Sequence, residues 1–225
     1  MLWNLTLQLD SSIYVVGQDI PYPASIGPDN ADQDPLGPSE EQSIAAGIPL
    51  IAAAIRATPN LVGLAGYSLG AELVSRFLEL QAQGQYADCE LAWAAVVANP
   101  NRARGESIDS DSAGYGINGA HAAWPATPTY TAANPMDGIT SCPAESPLRQ
   151  VAAGVSPLTF ATLDWTPELA EQLLDGQWPT ADYSLKQLVE AGRLVYGYLY
   201  GGQHTDAYVN GGYFDRLAAI LNQQT

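Results

Sequence analysis

The residues of this chain best suited to chemistry are a serine in a glycine-rich turn, two histidines and many carboxylates. Ser68 lies at the centre of Gly66-Tyr67-Ser68-Leu69-Gly70, which follows the apolar run 61–65 and precedes a helical pattern that begins at Ala71. A strand, a tight turn and a helix in this order expose the serine of a G-x-S-x-G sequence as a nucleophile. Ser68 is therefore the candidate nucleophile, and an idle serine in a glycine-rich turn is the alternative.

A serine nucleophile needs a base to take its proton and a carboxylate to orient that base. In the order serine, acid, histidine, the base comes late in the chain. His204 lies just before the final helical pattern, whereas His121 precedes the candidate acid. His204 is the predicted base, and His121 is interpreted as a loop residue or a substrate contact.

The acid should lie between Ser68 and His204, on a loop just past a strand end. Asp137 follows the candidate strand 127–132 and satisfies these conditions. A solvated turn residue is the alternative interpretation of Asp137. The competing carboxylates are Asp109 and Asp111, in a polar stretch, and Asp164, Asp175 and Asp182, among later helical patterns.

Acyl transfer places negative charge on the former carbonyl oxygen, which two N–H donors must stabilise. The backbone of Leu69, directly after the nucleophile, is the first predicted donor. The second is expected in the loop after the first strand, where we favour Gln18. Aromatic residues that could line an acyl site are Tyr22, Trp124, Trp165 and Tyr198, although ordinary packing is the common role of such residues.

The elements that must position these residues alternate between strands and helices. Strands are predicted at 13–17, 61–65, 91–98 and 127–132, and helices begin at Ser39 and Leu69. This alternation predicts a doubly wound, mainly parallel α/β sheet with the site at the carboxyl ends of its strands. Further helical patterns cover 148–153, 167–174, 181–196 and 213–221. We assign 1–146 and 200–225 to the core, and 147–199 to a helical insert.

Charge and composition exclude several classes of function. The formal net charge of −16 repels nucleic acid and anionic lipid, and no apolar run reaches the length of a membrane span. The start of the chain lacks the pattern of a signal peptide, so we expect synthesis in a cytoplasm. Cys89 and Cys142 are expected to be free thiols, with no metal site or other cofactor.

Several segments together resemble the mycobacteriophage lysin B proteins, relatives of cutinases. They are Pro21-Tyr22-Pro23-Ala24, 66–71, Ala98-Asn99-Pro100-Asn101-Arg102 and Gly114-Tyr115-Gly116-Ile117. The resemblance implies an α/β-hydrolase core with a helical linker subdomain between the catalytic aspartate and histidine. It places the family's triad on Ser68, Asp137 and His204.

The resemblance also implies a serine esterase that cleaves the ester between mycolic acids and arabinogalactan. Such an enzyme would detach the outer membrane of a mycolate-bearing host during phage release, after other lysis proteins free it, and is expected to be a monomer. Leu69 stands where the family often has Gln, and no room is expected for an N-terminal peptidoglycan-binding module. The alternatives are a general cutinase-like carboxylesterase or lipase, and a virion structural or envelope-binding protein on a hydrolase fold.

Overall fold

A parallel sheet lies at the centre of the structure. The computed structural model describes residues 1–25, 37–109, 114–150 and 183–224. Within these ranges the sheet has three strands in the order β1 (Val62–Tyr67), β2 (Leu91–Val97) and β3 (Thr129–Ala132), and both pairings are parallel. The predicted parallel α/β architecture is confirmed, and the carboxyl ends of all three strands meet at one edge.

The central strand explains why two layers of helix cover the sheet. β2 is apolar along its whole length, as a strand covered on both faces is expected to be. Its side chains alternate between two cores, since Ala94 and Val96 pack with the helices on one face while Trp93, Ala95 and Val97 pack on the other. β2 therefore contributes side chains to the apolar core on each face of the sheet.

The helices begin where their capping residues predict. A capping box in which Ser39 and Gln42 bond reciprocally starts the helix before β1, and Ser184 and Gln187 form the same motif at the start of a later helix. The helix after β1 starts directly at the turn that contains Ser68. The helices are α1 (Trp3–Thr6), α2 (Glu40–Arg56), α3 (Leu69–Ala82), α4 (Leu185–Leu199), α5 (Asp206–Asn210) and α6 (Tyr213–Leu221).

The predicted first strand at 13–17 is wrong. This segment forms a turn followed by irregular chain, and Val15 is 86% exposed. The start of the chain is held differently, because α1 packs against α6 and buries Leu5, while the hydroxyl of Tyr14 donates to the carbonyl of Leu221 at 2.6 Å. A β-branched run indicates a strand only where a neighbouring strand offers backbone partners, and none pairs with this run in the described structure.

Part of the predicted insert lies on the core. Helix α4 buries Ala191, Leu194 and Val195 in a third apolar cluster together with Ile117 and Leu148. Helical structure begins at residues 148–150, as predicted, but the rest of that pattern, the pattern 167–174 and the start of 181–196 lie outside the described residues. The boundaries 147 and 199 of the insert stay a prediction.

Two further predictions concern membranes and thiols. None of the helices in the described parts of the chain combines the length and the apolarity that crossing a bilayer requires. Cys89 and Cys142 are both buried free thiols. Burial raises the pKa of both thiols, so neither is an activated nucleophile.

Candidate active site

The turn between β1 and α3 holds Ser68 in an unusual backbone conformation. Ser68 has φ 54° and ψ −121°, although a non-glycine residue rarely adopts positive φ. Its N–H donates to the carbonyl of Val97 at 2.9 Å, which ties the turn to the end of β2. Strain of this kind persists only where surrounding structure enforces it, and it concentrates at functional sites. The predicted strand, turn and helix are therefore present, and Ser68 lies in the turn with a strained backbone.

The two glycines of the pentapeptide differ in how much space a side chain would have at their positions. A Cβ on Gly66 would overlap the carbonyl group of Gly70, with its carbon at 2.5 Å, and would lie 2.7 Å from the amide nitrogen of Ala71. A Cβ on Gly70 would meet only the hydroxyl of Tyr22, at 3.7 Å, an ordinary contact. The turn needs a glycine at position 66 because the chain folds back on it, whereas position 70 has room for a side chain.

The structure brings Ser68, His204 and Asp137 together in one hydrogen-bonded chain. Ser68 Oγ lies 2.8 Å from His204 Nε2, and His204 Nδ1 lies 2.8 Å from Asp137 Oδ2. An ionised carboxylate can only accept hydrogen bonds, so Nδ1 carries the proton and Nε2 is free to accept one from the serine. This geometry is what a serine, its general base and an orienting acid require.

The carboxylate of Asp137 is fully buried and is satisfied by several donors. Its Oδ1 accepts the N–H of Ile139 at 3.0 Å, and its Oδ2 accepts the hydroxyl of Tyr208 at 2.8 Å as well as the imidazole. Three donors compensate for the cost of burying this charge. The loop of Asp137 is also joined to that of His204, because Asn134 Nδ2 donates to the carbonyl of Gln203 at 2.8 Å.

Aromatic rings enclose the imidazole of His204, which is 7% exposed. The ring of Tyr67 lies 5.5 Å from it and the ring of Tyr198 lies 5.2 Å from it, measured between centroids. Burial, together with the negative charge of Asp137, raises the pKa of Tyr67. These rings restrict water around the base, which strengthens its hydrogen bonds.

The backbone of Leu69 lies where the predicted oxyanion donor is expected. Leu69 is the first residue of α3, so its N–H has no partner within the helix, and no other acceptor bonds it among residues the structure describes. The positive end of the α3 dipole adds to the attraction for an anion there.

The second predicted donor, Gln18, was assigned because it follows a predicted strand, and the structure does not contain that strand. The strand at 13–17 that was expected to precede it is absent, and Gln18 is exposed. No hydrogen bond joins it to Ser68 or Leu69 in the described part of the chain. Its role as an oxyanion donor is therefore still a prediction, without structural support.

Of the predicted acyl-site aromatics, Tyr22 lies beside the turn, and Trp124 packs against the same apolar cluster as Tyr22 and Leu69. The hydroxyl of Tyr22 borders Gly70, and burial with the nearby charge of Glu72 raises the pKa of Tyr22 to about 12. Trp124 stacks on His121 with ring centroids 3.5 Å apart and packs against the core around α2 and α3. Trp165 lies outside the described residues.

Both ring nitrogens of His121 contact oxygen atoms of neighbouring residues. Its Nδ1 lies 2.6 Å from the carbonyl oxygen of Ala122, and its Nε2 lies 2.7 Å from a carboxylate oxygen of Glu106. A carbonyl and a carboxylate oxygen both accept hydrogen bonds, so these contacts favour the protonated imidazole, which has an N–H on each nitrogen. Burial lowers the pKa of His121, but the bonds to Glu106 and Ala122 outweigh this effect and raise it. The ring of His121 is therefore held by Ala122 and Glu106, whereas the ring of His204 contacts Ser68.

Of the competing acids only Asp109 lies within the described residues, and no hydrogen bond described there joins it to His204. Asp109 pairs instead with Arg216, at 2.6 Å. Within the described ranges no three His, Cys, Asp or Glu side chains converge as a metal site would require. The other candidates, Asp111, Asp164, Asp175 and Asp182, lie outside the described residues.

A buried pair of glutamates lies behind the turn. Glu72, four residues after Ser68, is 3% exposed, and Glu40 at the start of α2 is 8% exposed. Asn118 Nδ2 donates to both carboxylates, at 3.3 Å to Glu72 and 3.0 Å to Glu40. Burial and the neighbouring Glu40 raise the pKa of Glu72 well above its usual value of 4.5. Glu72 therefore keeps its proton to a higher pH in the folded chain than in the unfolded chain.

We expect this pair to make the protein less stable as the pH rises. Above pH 4.5 the unfolded chain loses the Glu72 proton first, so the free energy of unfolding falls until the pH passes the raised pKa. Glu72→Gln, which mimics the protonated side chain, should remove this loss and raise the free energy of unfolding at neutral pH. Urea unfolding at several pH values measures the effect, and Glu41→Gln on the exposed side of α2 is the matched control. If the free energy of unfolding changed with pH in the same way for wild type and Glu72→Gln, the proposed effect of Glu72 would be contradicted.

Sequence reasoning missed Tyr208 and Asn134. Tyr208 lies in α5, four residues after His204, which itself precedes the N-cap Thr205 of that helix. Asn134 precedes Asp137 by three residues, and its side chain accepts the N–H of Met136 at 3.0 Å, a local turn bond that asparagine commonly makes. Both signals are too common in sequences to indicate a site by themselves.

Comparisons with known proteins give limited information. No protein-family model matches the sequence, and no curated protein matches it significantly. Among solved structures, an iodinated complex of acetyl xylan esterase is 21% identical, covering 63% of this chain and 77% of that chain, with a TM-score of 0.38. An acetylxylan esterase structure at 0.90 Å resolution is 20% identical over the same shares, with a TM-score of 0.42.

Proposed function

We propose that this chain is a serine esterase that works through an acyl-enzyme intermediate. The observation that supports the proposal most strongly is the chain of 2.8 Å contacts from Ser68 Oγ through His204 to the buried Asp137. The strained backbone of Ser68 and the open N–H of Leu69 support it as well. Together they supply a nucleophile, a base, an orienting acid and one oxyanion donor.

In the proposed reaction His204 Nε2 takes the proton of Ser68 while Oγ bonds to the ester carbonyl carbon. The negative charge on the carbonyl oxygen is stabilised by the N–H of Leu69 at the start of α3. The tetrahedral intermediate then collapses, the ester C–O bond breaks, and His204 gives its proton to the departing alcohol. Water, deprotonated by His204, attacks the acyl-enzyme, and collapse of the second intermediate releases the acid and restores Ser68.

For the substrate we propose the ester between mycolic acids and arabinogalactan, cleaved at the host envelope during phage lysis after other lysis proteins release the enzyme. The segments that resemble lysin B proteins, including the pentapeptide around Ser68 and residues 98–102, are the support for this assignment. A general cutinase-like carboxylesterase would use the same residues and differ in its acyl site.

Two assays test the proposal at its two levels. With p-nitrophenyl butyrate in excess, we expect an initial burst of one p-nitrophenol per enzyme if deacylation is slow, and label from a fluorophosphonate probe on Ser68 alone. With purified mycolyl-arabinogalactan, we expect release of free mycolic acids.

The outcomes separate the candidate functions. Ester turnover without release of mycolic acids would support the general carboxylesterase. A folded protein with no turnover and no probe label would overturn the esterase proposal, and binding of that protein to mycobacterial walls would favour a structural or envelope-binding role.

A further inference from the structure

A phenol hydroxyl donates to the same carboxylate oxygen that faces the imidazole. Tyr208 Oη and His204 Nδ1 each lie 2.8 Å from Asp137 Oδ2. Tyr208 and Asp137 are both 0% exposed, so water does not compete for these bonds. Asp137 Oδ2 therefore accepts two hydrogen bonds, one from the imidazole and one from the phenol.

The direction of the phenol bond is fixed by its second neighbour. The backbone N–H of Asn134 donates to Tyr208 Oη at 3.1 Å, so the phenol oxygen is the acceptor there. Its single proton then points to Asp137. Burial and the charge of Asp137 raise the pKa of Tyr208 well above its usual value, so the phenol stays a donor throughout the pH range of an ester assay.

We propose that Tyr208 is a positioning residue that limits the basicity of His204 by withdrawing charge from Asp137 Oδ2. This proposal rests on the proposed function of the Ser68, His204 and Asp137 chain. A carboxylate oxygen that already accepts an O–H bond attracts the imidazolium less, so the neutral form of His204 persists to lower pH. Together with the N–H of Ile139 on Oδ1, the phenol also fixes the rotation of the carboxylate.

The other charged and titratable groups around this site are the same in wild type and in a variant at position 208. Arg102, in the loop after β2, interacts electrostatically with Asp137 and Tyr208, and its side chain is fully buried. The remaining groups face the site from β1, α4, α5 and α6, and none of them is changed by a substitution at position 208. They are Tyr67, Tyr198, Asp206 and Tyr213.

The test is Tyr208→Phe, which removes the hydroxyl and keeps the ring. We expect the acid limb of the pH profile of kcat/KM for p-nitrophenyl butyrate to move up by about half a pH unit, because His204 now holds its proton more tightly. The matched control is Tyr14→Phe, which removes a phenol bond to the Leu221 carbonyl in the same apolar core, far from Asp137. The control should lose stability but keep the wild-type pH profile. A lower rate with an unchanged acid limb in Tyr208→Phe would show a merely structural role and overturn the proposal.

A second measurement keeps the two proposals separate. Titration of the His204 ring protons by NMR, assigned with a His121→Gln variant, reports the pKa of His204 without any turnover. A shift of this titration to higher pH in Tyr208→Phe would support the positioning role even if wild type hydrolyses no ester, and a shift to lower pH would overturn it. Wild-type ester turnover with the same His204 titration in both proteins would overturn the positioning role alone.

A third variant covers the case in which Tyr208→Phe does not fold. Site-specific 3-fluorotyrosine at position 208 keeps the ring and the hydroxyl but is a stronger donor, so the His204 titration should move down rather than up. An unchanged titration with fluorotyrosine would overturn the proposal.

Discussion

Ser68→Ala is expected to lower kcat for p-nitrophenyl butyrate by about 10⁵ to 10⁶-fold while leaving the fold intact. Without Oγ there is no atom to form the acyl-enzyme, and His204 Nε2 loses the partner that lies 2.8 Å away. A residual rate above water would come from the oxyanion donor and substrate binding alone. Stopped-flow detection of p-nitrophenol measures both the lost burst and the residual rate.

The matched control for Ser68→Ala is Ser75→Ala on the same helix. Ser75 is fully buried in α3, and no described group bonds its Oγ, so removing this hydroxyl leaves no partner unsatisfied. We expect its activity and stability to stay near those of wild type. If Ser68→Ala kept its activity, or if both variants lost activity alike, the assigned nucleophile would be wrong.

Gly66→Ala is expected to destabilise the protein by about 4 kcal/mol or more, a large part of the stability of a typical domain. The added methyl would overlap the backbone of Gly70 and Ala71, with the Gly70 carbonyl carbon at 2.5 Å. Backbone atoms at the start of α3 cannot move aside as a flexible side chain can, because Ser68 and β2 hold the turn. Thermal unfolding should show a melting temperature lower by about 10 °C or more.

Gly70→Ala provides the control within the same pentapeptide. Its added methyl would meet only the hydroxyl of Tyr22 at 3.7 Å, so the change should be close to neutral for folding. Alanine also suits the interior of a helix better than glycine does. Equal destabilisation by Gly66→Ala and Gly70→Ala would contradict the steric account of the turn.

The sequence was sufficient to predict those elements whose signals lie within a short stretch of the chain. The helix α3 occupies Leu69–Ala82 as its apolar spacing predicts, and the capping box at Ser39 marks the start of α2. The turn that contains Ser68 was predictable because the strand before it and the helix after it lie within about 20 residues. The predicted strand at 13–17 failed because pairing depends on a partner that composition does not reveal.

The alternation of β1, α3 and β2 around Ser68 and the chain order of the candidate triad follow from local sequence patterns. Three-dimensional packing determines which carboxylate reaches His204, since Asp137 and Asp109 both follow strands but Asp137 lies 2.8 Å from the ring while Asp109 pairs with Arg216. It also decided that Tyr208 shares that carboxylate. Hydrogen bonds act over about 3 Å, and residues 67 positions apart come within that distance only through the packing of the whole chain.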